Sequence, residues 1–284
     1  MILIDYSQIA LSNIIVQKLN DESMIRHMIL NSIHIYNKRY REEYGQLVIC
    51  ADGMNTWRKQ FFPEYKAARK KNRDSSGQDW TEIFRILHTV RDEIRDYLPY
   101  KVVHLEGVEA DDVIGTLTME TQQFGQAEPV MIISSDKDFI QLQKFNNVKQ
   151  YSPIQKKFVT DKNPRTYLFN HIMRGDTGDG IPNVLSADDT FITEKNQTPL
   201  RQTRIDAWLE DSDNLRESMD DEVYRNHQRN KKLIDLTDIP ENIQETIINT
   251  FNEQGKTPNT KVLNYLIKKR CNHLIEVVEE FYNG

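Results

Sequence analysis

Short apolar runs alternate along the first half of the chain with stretches in which apolar residues recur every three or four positions. Residues 2–5 (ILID), 46–51 (QLVICA), 101–105 and 129–135 (PVMIISS) are runs of the first kind and predict buried strands. Between them, Ile25, Met28, Ile29, Ile33 and Tyr36 mark a helix from about Asp21 to Tyr44, which Gly45 stops. Ile83, Ile86, Leu87, Val90 and Ile94 mark another over 82–98, ended by Pro99. A helix is predicted over 109–124, and two short strands at 147–151 and 157–159 around Pro153. Strands alternating with helices imply an α/β fold, a central mostly parallel sheet flanked by helices. Beyond about residue 160 the pattern changes to loops and helices near 199–210, 214–234, 241–253 and 259–282. The chain therefore divides into an α/β domain over 1–160 and a helical region over 161–284.

Composition changes this picture little. Formal charge is −6, from 37 basic and 43 acidic side chains, and aromatics are 9%. No apolar run approaches the roughly 20 residues of a membrane span, and the first residues carry no secretory signal. Two distant cysteines, Cys50 and Cys271, build no disulfide framework; a reducing compartment fits. The acidic balance argues weakly against nucleic acid, because whole-chain charge does not say where the charges lie.

The charges are distributed unevenly. Predicted strands end on Asp5, on Asp52, and just before Asp136 and Asp138, and in parallel sheets ligands gather at those strand ends. Carboxylates converging there raise one another's pKa unless a cation neutralises them. Oxygen ligands suit Mg²⁺ or Mn²⁺, and a pair of such ions activates water for phosphodiester hydrolysis. Taken singly, each acid reads equally well as a helix cap.

Five blocks stand in order: ILIDYS with Asp5, CADGMNTWR with Asp52, Glu109-Ala110-Asp111-Asp112, SSDKDF with Asp136 and Asp138, and GDTGDGIP with Asp176 and Asp179. Over nearly the whole chain this order and spacing resemble the 5′ nuclease superfamily of flap endonucleases and phage 5′→3′ exonucleases, whose fold is of the PIN/5′-nuclease type. The resemblance implies that Asp5, Asp52, Glu109, Asp111 and Asp136 surround a first metal and that Asp138, Asp176 and Asp179 surround a second, with Asp112 completing the acidic set. The implied cofactor is two Mg²⁺, with Mn²⁺ as a substitute. The implied activity is 5′→3′ exonuclease, flap endonuclease and ribonuclease H-type removal of RNA primers in lagging-strand replication. It implies, too, substrates of DNA and RNA/DNA duplex with 5′ ends or flaps, and a monomer in the cytoplasm of a phage-infected bacterium.

Residues 57–73 (WRKQFFPEYKAARKKNR) hold seven cations against one acid, Glu64, interleaved with Trp57, Phe61, Phe62 and Tyr65. Positive charge follows a phosphate backbone and aromatic faces stack unpaired bases; the alternative is a solvated basic helix. By resemblance, this segment (57–79 with its polar end) bridges the active site. Lys66 and Arg69 then contact the scissile phosphate and Arg58 a neighbouring one. Tyr65 stacks a base, and Lys59, Lys70, Lys71 and Arg73 add nucleic-acid contacts. The bridge is expected to be disordered until a 5′ single strand is bound.

Departures from the family pattern lie after Pro182. The stretch NVLSADDT lacks the glycines of a helix-hairpin-helix turn, so the motif reads as degenerate and no K⁺ site is carried over. Lys195, Arg201, Arg204, Arg225, Arg229, Lys231 and Lys232 are alternatives for gripping duplex, each read first as an ordinary surface charge. Lys261, Lys268, Lys269 and Arg270 precede an apolar, acidic terminal helix, read first as packed and second as a site for a single-strand DNA-binding protein. A sliding clamp is the other partner considered, although the chain starts at its first strand with no extension to carry a clamp peptide. The seven histidines form no evident ligand cluster. Competing readings are a PIN-type ribonuclease, a catalytically inactive DNA-structure-binding protein and a haloacid-dehalogenase-like phosphatase. The last needs a second aspartate two residues after Asp5, where Ser7 stands.

Overall fold

A computed structural model describes residues 1–17, 21–125, 127–255 and 257–282. Its centre is a six-stranded sheet of β1 (Ile2–Asp5), β2 (Leu47–Ala51), β3 (Lys101–His104), β4 (Val130–Ile133), β5 (Val148–Ser152) and β6 (Lys157–Val159), in the order β3-β2-β1-β4-β5-β6. All neighbours are parallel except β5 and β6, which form an antiparallel hairpin. The chain first builds outward from β1 to β3, then returns to build outward from β4. The order therefore reverses between β1 and β4, and such a switch point opens a crevice at the carboxyl ends of the strands. Asp5 ends one of these strands and Asp136 follows the other by three residues.

The strands are continuously apolar because both faces are covered. Ile2, Ile4, Leu47, Ile49, Met131 and Ile133 enter one core. That core is closed by α1 (Tyr6–Gln17), α2 (Glu22–Tyr44) and α5 (Trp80–Tyr97). Leu3, Val48, Cys50, Val130 and Ile132 enter the opposite core, closed by α6 (Ala110–Glu120) and α11 (Glu241–Glu253). The β3 edge is blunted by Gln254, whose side chain accepts from Val102 N and donates to Val102 O, both at 2.8 Å, in place of another strand.

Between β2 and α5 lie α3 (Trp57–Phe61) and α4 (Ala68–Asp74). After the sheet come α7 (Pro164–Arg174), α8 (Gln202–Glu210), α9 (Leu215–Ser218) and α10 (Asp221–Ile234). The predicted helix over 214–234 breaks at Asp220, which caps α10 by accepting from Val223 N at 2.9 Å. The helix predicted over 259–282 is three short ones, α12 (Asn259–Lys268), α13 (Asn272–Ile275) and α14 (Val278–Phe281). The break falls at Arg270, whose φ of 55° cannot continue a right-handed helix. Val262, Tyr265, Leu266, Leu274 and Phe281 from these helices enter the first core, so the terminal helices are packed against the α/β layer. Among the described residues, no helix is long and apolar enough to cross a membrane.

Candidate metal centre

Each acid first has a local structural task. Asp5 ends β1 and accepts from Gln8 N, at the start of α1, and from Ser134 Oγ at 2.9 Å. Asp52, one residue past β2, accepts from Ser7 Oγ at 2.7 Å and from Ala110 N at 2.9 Å, which ties β2 to the start of α6. Glu109 and Asp112 close a reciprocal capping box at the start of α6. Asp136 accepts from Asp138 N at 3.0 Å and caps the 3₁₀ segment Lys137–Lys144. Asp176 accepts from Asp179 N at 3.0 Å within a tight loop. Gly175 opens that loop at a φ of +66°, and a Cβ there would lie 2.2 Å from Ile181 O. The capping reading of these acids is therefore correct for several of them, and it is also what fixes their positions.

The same tasks bring them together. Ligand oxygens of Asp111, Asp136 and Asp138 lie within 4.8 Å of one another, and so do those of Asp138 and Asp176 with a ring nitrogen of His171. Burial, with repulsion from Asp52 and Asp136, pushes Asp5 up to about 7. Burial and the neighbouring Asp136 push Asp138 up to about 7 and raise Asp111 well above the ordinary carboxylate range. Acids that hold one another's protons on form a donor set short of positive charge. Its hard oxygens fit a divalent cation.

Glu109, Asp112 and Asp179 have cationic partners on the basic bridge. Arg58 is buried, with 3% of its surface exposed. Its Nη1 lies 2.8 Å from both Glu109 Oε2 and Asp112 Oδ1, while its Nε donates to Leu233 O. Lys66 Nζ is 2.6 Å from Glu109 Oε1 and 3.5 Å from Asp179 Oδ2, and Arg69 pairs with Asp179. Against the burial that would raise it, Lys66 and Arg58 hold Glu109 down to about 2. Lys66 itself has a φ of 56°, uncommon for a side-chain-bearing residue, and its N–H donates to Asp179 O at 2.7 Å.

Several expectations change here. Arg58, expected on a phosphate, is enclosed in ion pairs with Glu109 and Asp112. Tyr65, expected as a stacking platform, is 2% exposed. Its hydroxyl reaches Asp179 Oδ2 at 2.9 Å and Glu109 Oε2 at 3.2 Å, and its ring packs with Phe62, Ile172, Ile181, Leu233 and Ile234. In the bridge α3, a turn and α4 follow one another, and Arg58, Tyr65, Lys66 and Arg69 tie its first part to Glu109, Asp112 and Asp179. Lys59 is exposed, Arg73 lies 5.6 Å over the Phe84 ring, and the side chains of Lys70 and Lys71 lie outside the described residues. Arg229, read as a surface charge, is buried; it donates to Pro182 O at 2.9 Å and pairs with Asp188. Arg225 pairs with Asp188 as well, at 2.7 Å, and Lys231 with Asp238 at 2.7 Å.

His171 was missed. It stands in the last turn of α7, five residues before Asp176, and a search for ligand spacing among histidines and cysteines alone passes over it. Its proximity to a block of acids was the available signal.

Residues 3–167 match the family described as 5′-3′ exonuclease, N-terminal resolvase-like domain, and residues 163–281 match the family described as T4 RNase H, C terminal. The chain is 36% identical to ribonuclease H of Enterobacteria phage T4, over 98% of this chain and 95% of that protein. It is 28% identical to a 5′-3′ exonuclease of Buchnera aphidicola over 58% of this chain and 56% of that protein. Two solved structures share the fold, each with a TM-score of 0.62. One is the phage T5 5′-exonuclease with bound zinc, at 16% identity over 89% of this chain and 98% of that one. The other is the T5 flap endonuclease in a pseudo-enzyme–product complex with DNA and metal ions, at 18% identity over 98% of both chains.

Proposed function

Because the chain belongs to the 5′-3′ exonuclease family, with a C-terminal region of the T4 ribonuclease H type, we propose that it is a divalent-metal-dependent nuclease cutting phosphodiesters near 5′ ends. In this reading it acts as exonuclease and flap endonuclease, and removes RNA primers and adjacent DNA during lagging-strand replication. The carrying observation is the half-buried trio Asp111, Asp136 and Asp138, with Asp5 beside it, at the switch point of the sheet and beneath a cationic bridge. The neighbours named above, solved with metal ions and in one case with DNA, support the reading by analogy.

When bound, Mg²⁺ would supply an activated water and neutralise the leaving oxygen. Asp5, Asp111, Asp136 and Asp138 would hold it, with Asp176 on the flank. Lys66 and Arg69 keep their charge at the lip of this cluster through Glu109 and Asp179. A scissile phosphate entering there takes over these two cations, which then face negative charge as it grows in the transition state. Arg58 has no such freedom; it fixes the start of the bridge to α6 and orients Glu109. Cleavage would leave a 3′-hydroxyl on the released side and a 5′-phosphate on the remaining strand.

The test uses end-labelled 5′-flap, nicked and RNA-primed duplexes with Mg²⁺ or EDTA. Metal-dependent products are expected on at least the flap and primed substrates, and their sizes separate exonuclease from endonuclease cutting. Binding without metal-dependent products on any of the three would favour an inactive DNA-structure-binding protein.

A further inference from the structure

His171 lies outside an all-carboxylate centre. Its Nε2 is 3.3 Å from Asp176 Oδ2 in hydrogen-bonding geometry. Its Nδ1 is 3.3 Å from Asp138 Oδ1, is shielded from solvent and makes no hydrogen bond. Against the burial that would lower it, Asp176 and Asp138 raise the ring's pKa, so the metal-free ring is drawn toward an imidazolium whose Nδ1 faces Asp138 Oδ1. A metal ion between Nδ1 and Asp138 would displace that proton and stand in its place as the cation. A histidine that binds a metal through one nitrogen usually donates its other N–H to a carboxylate, which fixes the ring; Asp176 has that place here. Asp138 also belongs to the trio with Asp111 and Asp136, so one carboxylate touches both groups.

We propose, resting on the metal-dependent reading above, that His171 is a metal ligand through Nδ1. It shares an ion with Asp138 and is oriented by Asp176. One position of the centre is then a mixed nitrogen–oxygen site, next to an oxygen-only position at Asp111 and Asp136. Mg²⁺ keeps to oxygen and water, whereas an imidazole favours first-row transition ions. This position therefore prefers a transition ion to Mg²⁺, a preference the oxygen-only position lacks.

The full chain is loaded with Mn²⁺ and examined by pulsed EPR for ¹⁴N coupling. Mn²⁺ affinity is then titrated with and without competing Mg²⁺, in the wild type and in His171→Asn. The wild type is expected to show the coupling of a directly bound imidazole, and His171→Asn to lose it. At that position the variant's Mn²⁺ affinity falls at least about tenfold, with Mg²⁺ affinity little changed. Mn²⁺ bound to the wild type without nitrogen coupling would mean that the imidazole only ion-pairs with its two aspartates, and would overturn the inference while leaving the metal-dependent reading intact. A wild type that binds no Mn²⁺ overturns both. The wild-type spectrum decides the matter even if the variant fails to fold.

Discussion

Arg58 illustrates how far a side chain's partners can depart from what its type suggests. In a segment of seven cations it reads as a phosphate contact, yet it stands buried between Glu109 and Asp112 with its third donor on Leu233 O. Removing it leaves the buried Asp112 without its counter-charge and Glu109 with Lys66 alone, and breaking such a buried pair typically costs about 3–5 kcal/mol. Arg58→Met is therefore expected to lower unfolding stability by about that much in urea denaturation. A variant of unchanged stability but weakened DNA affinity would restore the phosphate-contact role. Sequence alone could not make this distinction, because it gives a residue's charge and not the distance to its partner. His171 and Arg229 were obscured for the same reason: their partners Asp138, Asp176, Asp188 and Pro182 are set by the packing of α7 and α10.

At the scale of elements, strands and acids were legible for one shared reason. A strand covered on both faces is apolar throughout, so the first acid after it stands out, as Asp5, Asp52 and Asp136 do. The bridge was legible as a basic, aromatic segment, but its ties to the acids were not. Its first half is anchored by Phe62 and Tyr65 in a small core with Ile172 and Leu233. The polar turn over 75–78, between α4 and α5, is exposed, and Ser76 there bonds to Arg73 O and Trp80 Nε1 without entering an apolar core. Limited proteolysis should therefore cut near this turn before any site in 57–66, and a flap with a 5′ single strand should slow the cut. Cleavage in 57–66 first, or at a rate the flap leaves unchanged, would contradict this account of the bridge. The C-terminal region was the least legible. Its helix breaks arise from single backbone choices such as Arg270 at positive φ, which no apolar period records.

For the molecule as a whole, the net charge of −6 misleads. Nine acids stand in the five blocks, and without them the balance is +3. The acidic surplus is thus gathered where a cation is needed. Its consequence is measurable as stability. Burial and the neighbouring acids Asp52 and Asp136 push Asp5 up to about 7, and burial and Asp136 do the same for Asp138. Between the ordinary carboxylate range and about 7, the folded protein thus holds protons that the unfolded chain has released. Stability from these groups therefore falls as pH rises through that window. Melting temperature in EDTA is expected to drop from pH 5.5 to pH 8, and added Mg²⁺ to raise it more at pH 8 than at pH 5.5. Equal Mg²⁺ shifts at both pH values would argue against ions binding these carboxylates.

The central claim is that carboxylates from separate parts of the chain form one metal centre that cuts nucleic acid. The most direct measurement is single-turnover cleavage of an end-labelled 5′ flap across a Mg²⁺ titration by wild type and Asp136→Asn, with binding to the same flap followed by anisotropy. The account predicts Mg²⁺-dependent cleavage by the wild type, a loss of about a hundredfold or more in the variant, and largely unchanged binding. An Asp136→Asn protein that cleaves at the wild-type rate at the same Mg²⁺ concentration would contradict it.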